Sequence, residues 1–435
     1  MLRRIRYPSL VQSVTRRFNS TTTTSSSAAA LPKPLEGVRV LELGQLIAGP
    51  FCGSILGYYG AEVIKIEPPK LGDPLRTWRH VDEDGVSPWF RSLARNKKSV
   101  CIDLRTEQGR SIVKQLAQDA DVLIENFKPG TMEKWGIGPD DLYATNPSLI
   151  YTRISGYGQT GPYSKRPGFA SVCEGMGGFR YVNGVPGEAP VRPNISLGDS
   201  LAGMHAAMGV LLGLIGRSKL PASKTGQVVD VAIYESMLNM MESIIPEYDR
   251  KGVIRQPSGS TVTGVVPTNT YPCKNGQHVI IGGNGDSIYK RLMGVIGRED
   301  LVGEEYETNA HRVKKQEEID GAISDWTSER TPDQVLEALA EASVPAGKIY
   351  NAQDIVEDPH INERGMIETV TVGTPEDGRG WQVKIPGMSP VLHGTPGATK
   401  WAGPDHGQHT TEVLSEKLGL SQQEIDDLTS KGVIR

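Results

Sequence analysis

The stretch GVRVLELGQLIAGPFCGSILGYYGAEVIKIE, residues 37–67, carries the signals that decide the fold. Its first apolar run, 38–43, predicts a strand. After a glycine-bounded loop, Pro50 suits the first turn of a helix that ends at Gly60. A second run, 61–67, predicts another strand. Strand, helix and strand in this order indicate a right-handed crossover between two parallel strands.

The same alternation continues along the chain. An amphipathic helix is predicted at 107–120 and another helix from Asp199 to about Arg217, and further strands are predicted at 99–104, 121–125, 149–154 and 227–233. We therefore expect an α/β fold. Its main feature is an open parallel, Rossmann-like sheet with helices on both faces, and ligands bind beyond the carboxyl ends of its strands.

The order of the predicted strands and helices along the chain predicts its division into domains. Residues 36–250 are expected to form a large α/β domain. The pattern of predicted elements changes at about Pro257. This change marks the start of a smaller α+β domain, 257–375, with strands near 270–272 and 278–281. The final segment, 385–435, is expected to return to the large domain.

The first 35 residues differ in composition from all that follows. They contain five arginines and a Ser/Thr/Ala stretch, and the first acidic residue is Glu36. This pattern is typical of a mitochondrial transit peptide, with a plausible cleavage point near Arg17, and places the protein in the mitochondrial matrix. The alternative is a disordered tail. Removing the five arginines takes the formal charge from −4 to about −9, which argues against a nucleic-acid partner.

Several classes of protein are disfavoured by what the sequence lacks. The four cysteines form no Cys-x-x-Cys pair and the eight histidines form no ligand pattern, so we expect no metal site and no disulfide framework. There is no Gly-x-Ser-x-Gly elbow of an α/β-hydrolase. No apolar run reaches the length of a membrane span, which predicts a protein without a membrane partner.

Two features of the predicted sheet edge have both a structural and a functional interpretation. The loop 44–49 and Glu67 lie where a dinucleotide would bind, but the Gly-x-Gly-x-x-Gly fingerprint is missing, which disfavours an NAD enzyme. Basic residues gather after strand ends, where they are either solvated or placed to neutralise a phosphorylated ligand: Arg95, Lys97, Lys98, Arg105, Lys128 and Lys134. Asp199 is by residue type a good helix N-cap, bonding the amide of Leu201 or Ala202.

Taken in order, nine segments resemble one known family, the class III CoA-transferases, over residues 36–435. They are LEGVRVL at 35–41, AGP at 48–50, GAEVIKIE at 60–67, GD at 72–73, NKKS at 96–99, ENFKPG at 125–130, SGYGQTGP at 155–162, GD at 198–199 and GQHT at 407–410. The resemblance implies an enzyme that moves coenzyme A between carboxylic acids, with CoA thioesters as substrates and no permanently bound cofactor. It also implies an interlocked homodimer.

The resemblance further assigns site residues. Asp199, after Gly198, corresponds to the catalytic aspartate of the family, whose carboxylate attacks the thioester to give a mixed anhydride and then an aspartyl-CoA thioester. Ile47 and Ala48 are expected to flank the adenine. The rest of the CoA site is expected to contain Ile102, Arg105, Asn126, Phe127, Lys128 and Lys134, with Ser155, Gly156 and Tyr157 near the thioester.

Substrate choice is narrowed by departures from related enzymes. Pro68 replaces a nucleotide-binding arginine of formyl-CoA transferases, and 259–264 lacks their glycine-rich lid, which argues against formyl-CoA. The alternative function is that of a racemase of 2-methylacyl-CoA. Such racemases have a His-Asp pair where this sequence has Gly, Phe and Ala at 168–170, which argues against this function. Length, targeting and the run 306–309 resemble the mitochondrial succinyl-CoA:glutarate transferases most. This resemblance implies dicarboxylate substrates. Their second carboxylate, remote from the one that reacts, is expected to be held by Arg166, Arg192 or Arg312.

Overall fold

The computed structural model describes residues 31–221, 225–373 and 380–435, so residues 1–30 of the predicted transit peptide lie outside it. Residues from Lys33 to Arg435 form one compact unit. The strands are β1 (Arg39–Glu42), β2 (Glu62–Glu67), β3 (Lys97–Cys101), β4 (Val122–Glu125), β5 (Ile150–Ser155), β6 (Gln227–Ala232), β7 (Thr268–Pro272), β8 (His278–Gly282), β9 (Ala346–Lys348), β10 (Ile367–Val372) and β11 (Trp381–Pro386).

The α-helices alternate with these strands in the first half of the chain and cluster in the second. They are α1 (Ala48–Tyr58), α2 (Pro88–Leu93), α3 (Glu107–Gln118), α4 (Thr131–Lys134), α5 (Pro139–Tyr143), α6 (Ala170–Met176), α7 (Phe179–Val182), α8 (Leu197–Arg217), α9 (Ile233–Leu238), α10 (Ile244–Lys251), α11 (Asp286–Val295), α12 (Asn309–Val313), α13 (Gln316–Ser328), α14 (Pro332–Glu341), α15 (Ala352–Glu357), α16 (Pro359–Glu363), α17 (Thr410–Leu418) and α18 (Gln422–Ser430).

The predicted α/β fold with a parallel sheet is confirmed. Strands β1 to β6 form one sheet in the order β3-β2-β1-β4-β5-β6, and every neighbouring pair is parallel. In this doubly wound order the connections run in opposite directions from β1 and β4. A crevice therefore opens between the carboxyl ends of these two strands, where such folds bind their ligands.

Each face of the sheet is covered by its own hydrophobic core. One core joins the sheet to α1 and α8, and the other joins it to α3 and the C-terminal helices. Helix α8 approaches α1 and the sheet closely because its glycines face them. A Cβ atom at Gly203 would lie 2.7 Å from the Ala48 carbonyl oxygen, and one at Gly209 would lie 2.4 Å from a Val229 methyl carbon.

Smaller antiparallel sheets follow the large sheet in the chain. Strands β7, β8 and β9 pack with α11, α13 and α14 around a separate apolar core, and β10 pairs with β11. The C-terminal segment lies against the large sheet. Ile434 forms an antiparallel bridge with Ile102, and Val413, Leu414 and Ile425 enter the core that contains α3.

The basic residues around β3 differ from expectation. The strand begins at Lys97 rather than at Ser99, and the Lys97 ammonium is buried against the Glu42 carboxylate at 2.8 Å. The Arg95 guanidinium is also buried and donates to the Pro386 carbonyl oxygen. Lys98 pairs with Glu412 at 2.8 Å. The buried Arg95 and Lys97 therefore stabilise the fold and are not available to a phosphorylated ligand, whereas Lys98 is part of a surface ion pair.

Helix α8 also corrects one expectation. By length and composition alone, this helix of 21 residues is long and apolar enough to cross a membrane. The expectation that no apolar segment approaches this length was wrong. In the fold, the side of the helix that is rich in alanine and glycine contacts α1, β5 and β6.

Candidate active site

A cavity of about 640 Å³ lies beyond the carboxyl ends of β1, β4 and β5. Its size is that of a small-molecule site. Most of the residues that the sequence analysis selected line it: Ile47, Ala48, Asn126, Phe127, Lys128, Ser155, Gly156 and Asp199, together with Arg166 and Arg192. The fold therefore brings together residues from five distant segments of the chain.

Asp199 is a half-buried residue whose side chain lines this cavity. The helix begins at Leu197 with Ser196 as its N-cap, so the N-cap interpretation of Asp199 is wrong. Within the described part of the chain, the Asp199 carboxylate forms no hydrogen bond or ion pair. Burial, and secondly the Glu174 carboxylate, raise the pKa of Asp199 to about 6, while Arg192 acts in the opposite direction. The group is thus ionised at neutral pH and free to react.

Gly198 allows the first turn of α8, which carries Asp199, to pack closely against neighbouring residues. A Cβ atom at this position would lie 3.1 Å from Ile233 Cγ2, 3.2 Å from Glu174 Cγ and 3.4 Å from Ala170 Cβ. These contacts are too close for the packing to stay unchanged. In the Gly-Asp pair, Gly198 therefore meets a steric requirement of the packing, and Asp199 meets the chemical requirement for a carboxylate.

Glu174 is a site residue that the sequence analysis missed. Its carboxylate is fully buried and accepts a hydrogen bond of 3.2 Å from the Gly198 amide. Arg180 and Arg192 approach it at 3.4 Å and 3.7 Å. The available signal was a single acidic residue within the apolar and small run 170–178, because a carboxylate in such a run is either partnered or functional.

The loop after β1 is fixed by two side chains from elsewhere in the chain. Asn126 accepts a hydrogen bond of 2.9 Å from the Gln45 amide and donates one of 2.8 Å to the Gln45 carbonyl oxygen. Asp73 accepts from the Leu46 amide at 3.0 Å, where the backbone has a φ of 65°. The Asn126 amide group is therefore occupied in shaping the cavity wall.

Three predicted CoA residues line a second cavity, of about 370 Å³, beyond β2 and β3. Ile102 and Arg105 are found there with Lys70, and Phe127 lines both cavities. Ile47 and Ala48 lie in the cavity of Asp199 instead, so the structure does not bring all predicted CoA residues into one cavity. The exposed Arg105 guanidinium pairs with Asp103 at 2.7 Å.

Three further candidates lie outside both cavities. Lys134 is exposed at the end of α4, and Tyr157 packs beside Tyr163 with ring centroids 6.3 Å apart. Arg312 is fully buried and donates to the carbonyl oxygens of residues 266, 284, 306 and 307. The expectation that Arg312 holds a substrate carboxylate was therefore wrong. Among the described residues, no cluster of three or more His, Cys, Asp or Glu could hold a metal ion.

An unpartnered carboxylate facing a cavity on a Rossmann-like sheet is typical of an enzyme that uses it as a nucleophile or base. The amino-acid sequence matches the model of CoA-transferase family III over residues 35–410. The chain therefore belongs to CoA-transferase family III, which confirms the resemblance seen in its motifs.

Individual relatives and a solved structure agree with this assignment. The chain is 45% identical to the succinyl-CoA–D-citramalate CoA-transferase of Chloroflexus aurantiacus, over 93% of this chain and 98% of that one. It is 31% identical to the succinyl-CoA:glutarate CoA-transferase of Homo sapiens, over 92% and 90%. The structure resembles that of a CaiB/BaiF family protein from Brucella suis with a TM-score of 0.77 and 30% identity, over 89% of this chain and the whole of that one.

The packing at Gly198 generates a prediction. Gly198→Ala is expected to lower the rate of CoA transfer about tenfold or more, because the added methyl displaces the first turn that carries Asp199. Steady-state kinetics measure this. Gly216→Ala is the matched control on the same helix, where the nearest atom to a new Cβ is 3.9 Å away. It should keep its activity and gain about 0.5–1 kcal/mol of stability. Transfer by Gly198→Ala at the unchanged rate contradicts the steric requirement.

Proposed function

We propose that the protein transfers CoA from succinyl-CoA to a short dicarboxylic acid, with Asp199 as the covalent nucleophile. The observation that carries this proposal is the Asp199 carboxylate, which lines the cavity without a partner among the described residues. A carboxylate tied up in an ion pair is a weaker nucleophile, and one already bound as a helix cap is not available at all.

The reaction proceeds in four balanced exchanges. Asp199 attacks the succinyl thioester carbonyl, which forms a mixed anhydride and releases CoA thiolate. The thiolate attacks the aspartyl carbonyl of the anhydride, which forms an aspartyl-CoA thioester and releases succinate. The acceptor carboxylate attacks this thioester, which gives a second anhydride and thiolate. The thiolate then attacks the acceptor acyl carbonyl and restores Asp199.

The two cavities suggest how a CoA thioester is held. We place the nucleotide in the cavity of Ile102 and Arg105, and the acyl end beside Asp199, with the connecting arm passing Phe127. In this arrangement Ile47 and Ala48 lie on the side of the acyl end and not beside the adenine, as the resemblance had implied. Lys70 lies in the nucleotide cavity two residues after Pro68, and its ammonium supplies a cation where Pro68 cannot. Of the first-turn amides of α8, that of Gly198 donates to Glu174, whereas those of Leu197 and Asp199 have no intrahelical acceptors and are suited to stabilise an oxyanion.

Dicarboxylate specificity is supported by two arginines and by the relatives. Arg166 and Arg192 line the cavity that contains Asp199, and the Arg166 guanidinium stacks over the Tyr163 ring at 3.7 Å. Arginine binds carboxylates in a fixed geometry. Relatives carry the names of citramalate, malate and glutarate, which are all dicarboxylates. Because the citramalate enzyme is the more similar of those named above, glutarate is one candidate acceptor among several.

The experiment that tests the proposal is direct. The protein is mixed with succinyl-CoA and, separately, glutarate, malate and citramalate, and the thioesters are separated by chromatography. We expect a new acyl-CoA from at least one acid. Asp199→Ala and Asp199→Asn should lower its formation about a thousandfold or more, because the covalent route is lost. Intact mass spectrometry should detect a CoA adduct only when Asp199 is present.

Two outcomes contradict the proposal. One is transfer that survives both changes at Asp199. The other is no transfer to any acid, combined with exchange of the 2-proton of a 2-methylacyl-CoA in deuterated water. That result favours the isomerase alternative, although the run 168–170 that lines the cavity contains Gly, Phe and Ala rather than a base.

The role of the two arginines generates a further prediction. At pH 8, where Asp199 stays ionised, Arg166→Gln or Arg192→Gln is expected to raise the KM for dicarboxylate acceptors about tenfold and to leave the KM of monocarboxylate acceptors unaffected, because only the remote carboxylate loses its partner. Acceptor saturation curves with both kinds of acid measure this. Lys165→Gln is the matched control, since Lys165 is exposed and lies outside the cavity lining. An equal loss for both kinds of acid excludes this role.

We also propose that the working form is an interlocked homodimer. Helix α8 exposes a row of large apolar side chains, of which Met204, Met208, Leu212 and Ile215 are each more than half exposed. Contiguous exposed apolar surface on a helix is typical of an interface. Sedimentation of the purified protein at twice the chain mass supports this, and a monomer that transfers CoA at the full rate contradicts it.

Location in the mitochondrial matrix remains a proposal based on the composition of residues 1–35. Fusion of these residues to a reporter protein tests it. Matrix import with cleavage is the expected outcome, and a reporter that stays outside mitochondria contradicts it.

A further inference from the structure

Glu174 is a buried charge to which the reaction scheme gives no task. Its side chain is fully buried on α6, and one carboxylate oxygen accepts from the Gly198 amide. The same oxygen lies 3.7 Å from Arg192, and the other lies 3.4 Å from Arg180. Burying a carboxylate requires compensation by cations and donors, and these three groups supply it.

The position of Glu174 relative to the nucleophile shows what its charge can do. Gly198 precedes Asp199 in the chain, so the hydrogen bond from its amide fixes the turn that presents the nucleophile. Arg192 acts electrostatically on Asp199, yet the carboxylate within ion-pair distance of it, at 3.7 Å, is that of Glu174. A glutamine of the same shape could accept from Gly198, but it could not attract Arg192.

We propose that Glu174 is a positioning residue for CoA transfer. Its carboxylate holds the first turn of α8 and draws Arg180 and Arg192 to itself, so that Asp199 remains unpaired for attack on the thioester. This inference rests on the proposed role of Asp199 as nucleophile.

The electrostatics around the pair act in the same direction. The titratable and charged groups that face Glu174, among the described residues, are Asp199 on α8, Cys173 on α6, Arg180 on α7 and Arg192 in the following loop. Burial contributes most to the raised pKa of Asp199, and the negative charge of Glu174 contributes next. A more basic carboxylate is a better nucleophile as long as it stays ionised.

The test is the pH dependence of kcat/KM in Glu174→Gln. Asp199 must be ionised to attack, so activity falls as the pH drops through its pKa, with a midpoint at about 6 in the unchanged protein. Loss of the neighbouring negative charge should move this midpoint to lower pH. The rate at pH 8 should also fall about threefold or more, because Arg192 is then free to pair with Asp199. Groups on the substrate titrate identically in both proteins and cancel in the comparison.

Two variants separate positioning from a general effect of charge or folding. Arg192→Gln changes no buried residue and should shift the midpoint the opposite way, to higher pH, because a cation is removed. Glu188→Gln is the matched control, since Glu188 is exposed in the loop before Arg192 and its loss should leave the profile unchanged. Thermal unfolding checks that each variant is folded. An unshifted midpoint in both Glu174→Gln and Arg192→Gln overturns the inference.

A measurement without substrate distinguishes this inference from the proposed function. The carboxyl carbon of Asp199 is titrated by NMR, with its signal identified by comparison with Asp199→Asn. A lower pKa in Glu174→Gln supports the coupling of the two carboxylates even if no acid is found to accept CoA. An unchanged pKa in a protein that does transfer CoA overturns the positioning role and leaves the proposed function intact.

Discussion

The crevice depends on a group of buried ion pairs between β1, the middle of β2 and the start of β3. The Lys65 ammonium lies 3.1 Å from Glu42 and 2.8 Å from Asp73, and the Lys97 ammonium lies 2.8 Å from the other oxygen of Glu42. All four side chains are essentially inaccessible to solvent. Because an unpaired charge cannot remain in such a place, each member requires the others, and the three strands are held together.

This group of charges also shapes the cavity wall. Lys65 donates to the Gly44 carbonyl oxygen, and Asp73 accepts from the Leu46 amide, so the loop after β1 is held at both ends. Asn126 fastens the middle of the same loop to the end of β4. A binding site supported in this way on strand ends keeps its geometry when ligands enter and leave. The unusual left-handed backbone of Leu46 persists because these contacts determine it.

The sheet was predictable from the sequence because alternating apolar runs, glycine-bounded loops and helical periodicity are local signals. The roles of the buried cations were not predictable in this way. Lys97 follows a loop in the sequence and was interpreted as a possible phosphate ligand, but its partner Glu42 lies 55 residues away. Arg312 was misassigned and Glu174 was missed for the same reason, since a buried charge is recognisable only through the partners that the fold brings to it. The motifs selected Asp199 as the catalytic aspartate, and the structure shows it lining the cavity, whereas local propensity favoured a helix cap.

The Asp199 site has to satisfy two opposing requirements. Attack on a thioester through an anhydride needs a site that excludes water, and burial raises the pKa of the carboxylate toward the protonated form that cannot attack. A direct ion pair with Arg192 would keep Asp199 ionised but would weaken it as a nucleophile. Placing Arg192 beside a second, fully buried carboxylate resolves this conflict. The cation stays near enough to limit the pKa of Asp199 to about 6, while the carboxylate within ion-pair distance of it, at 3.7 Å, is that of Glu174.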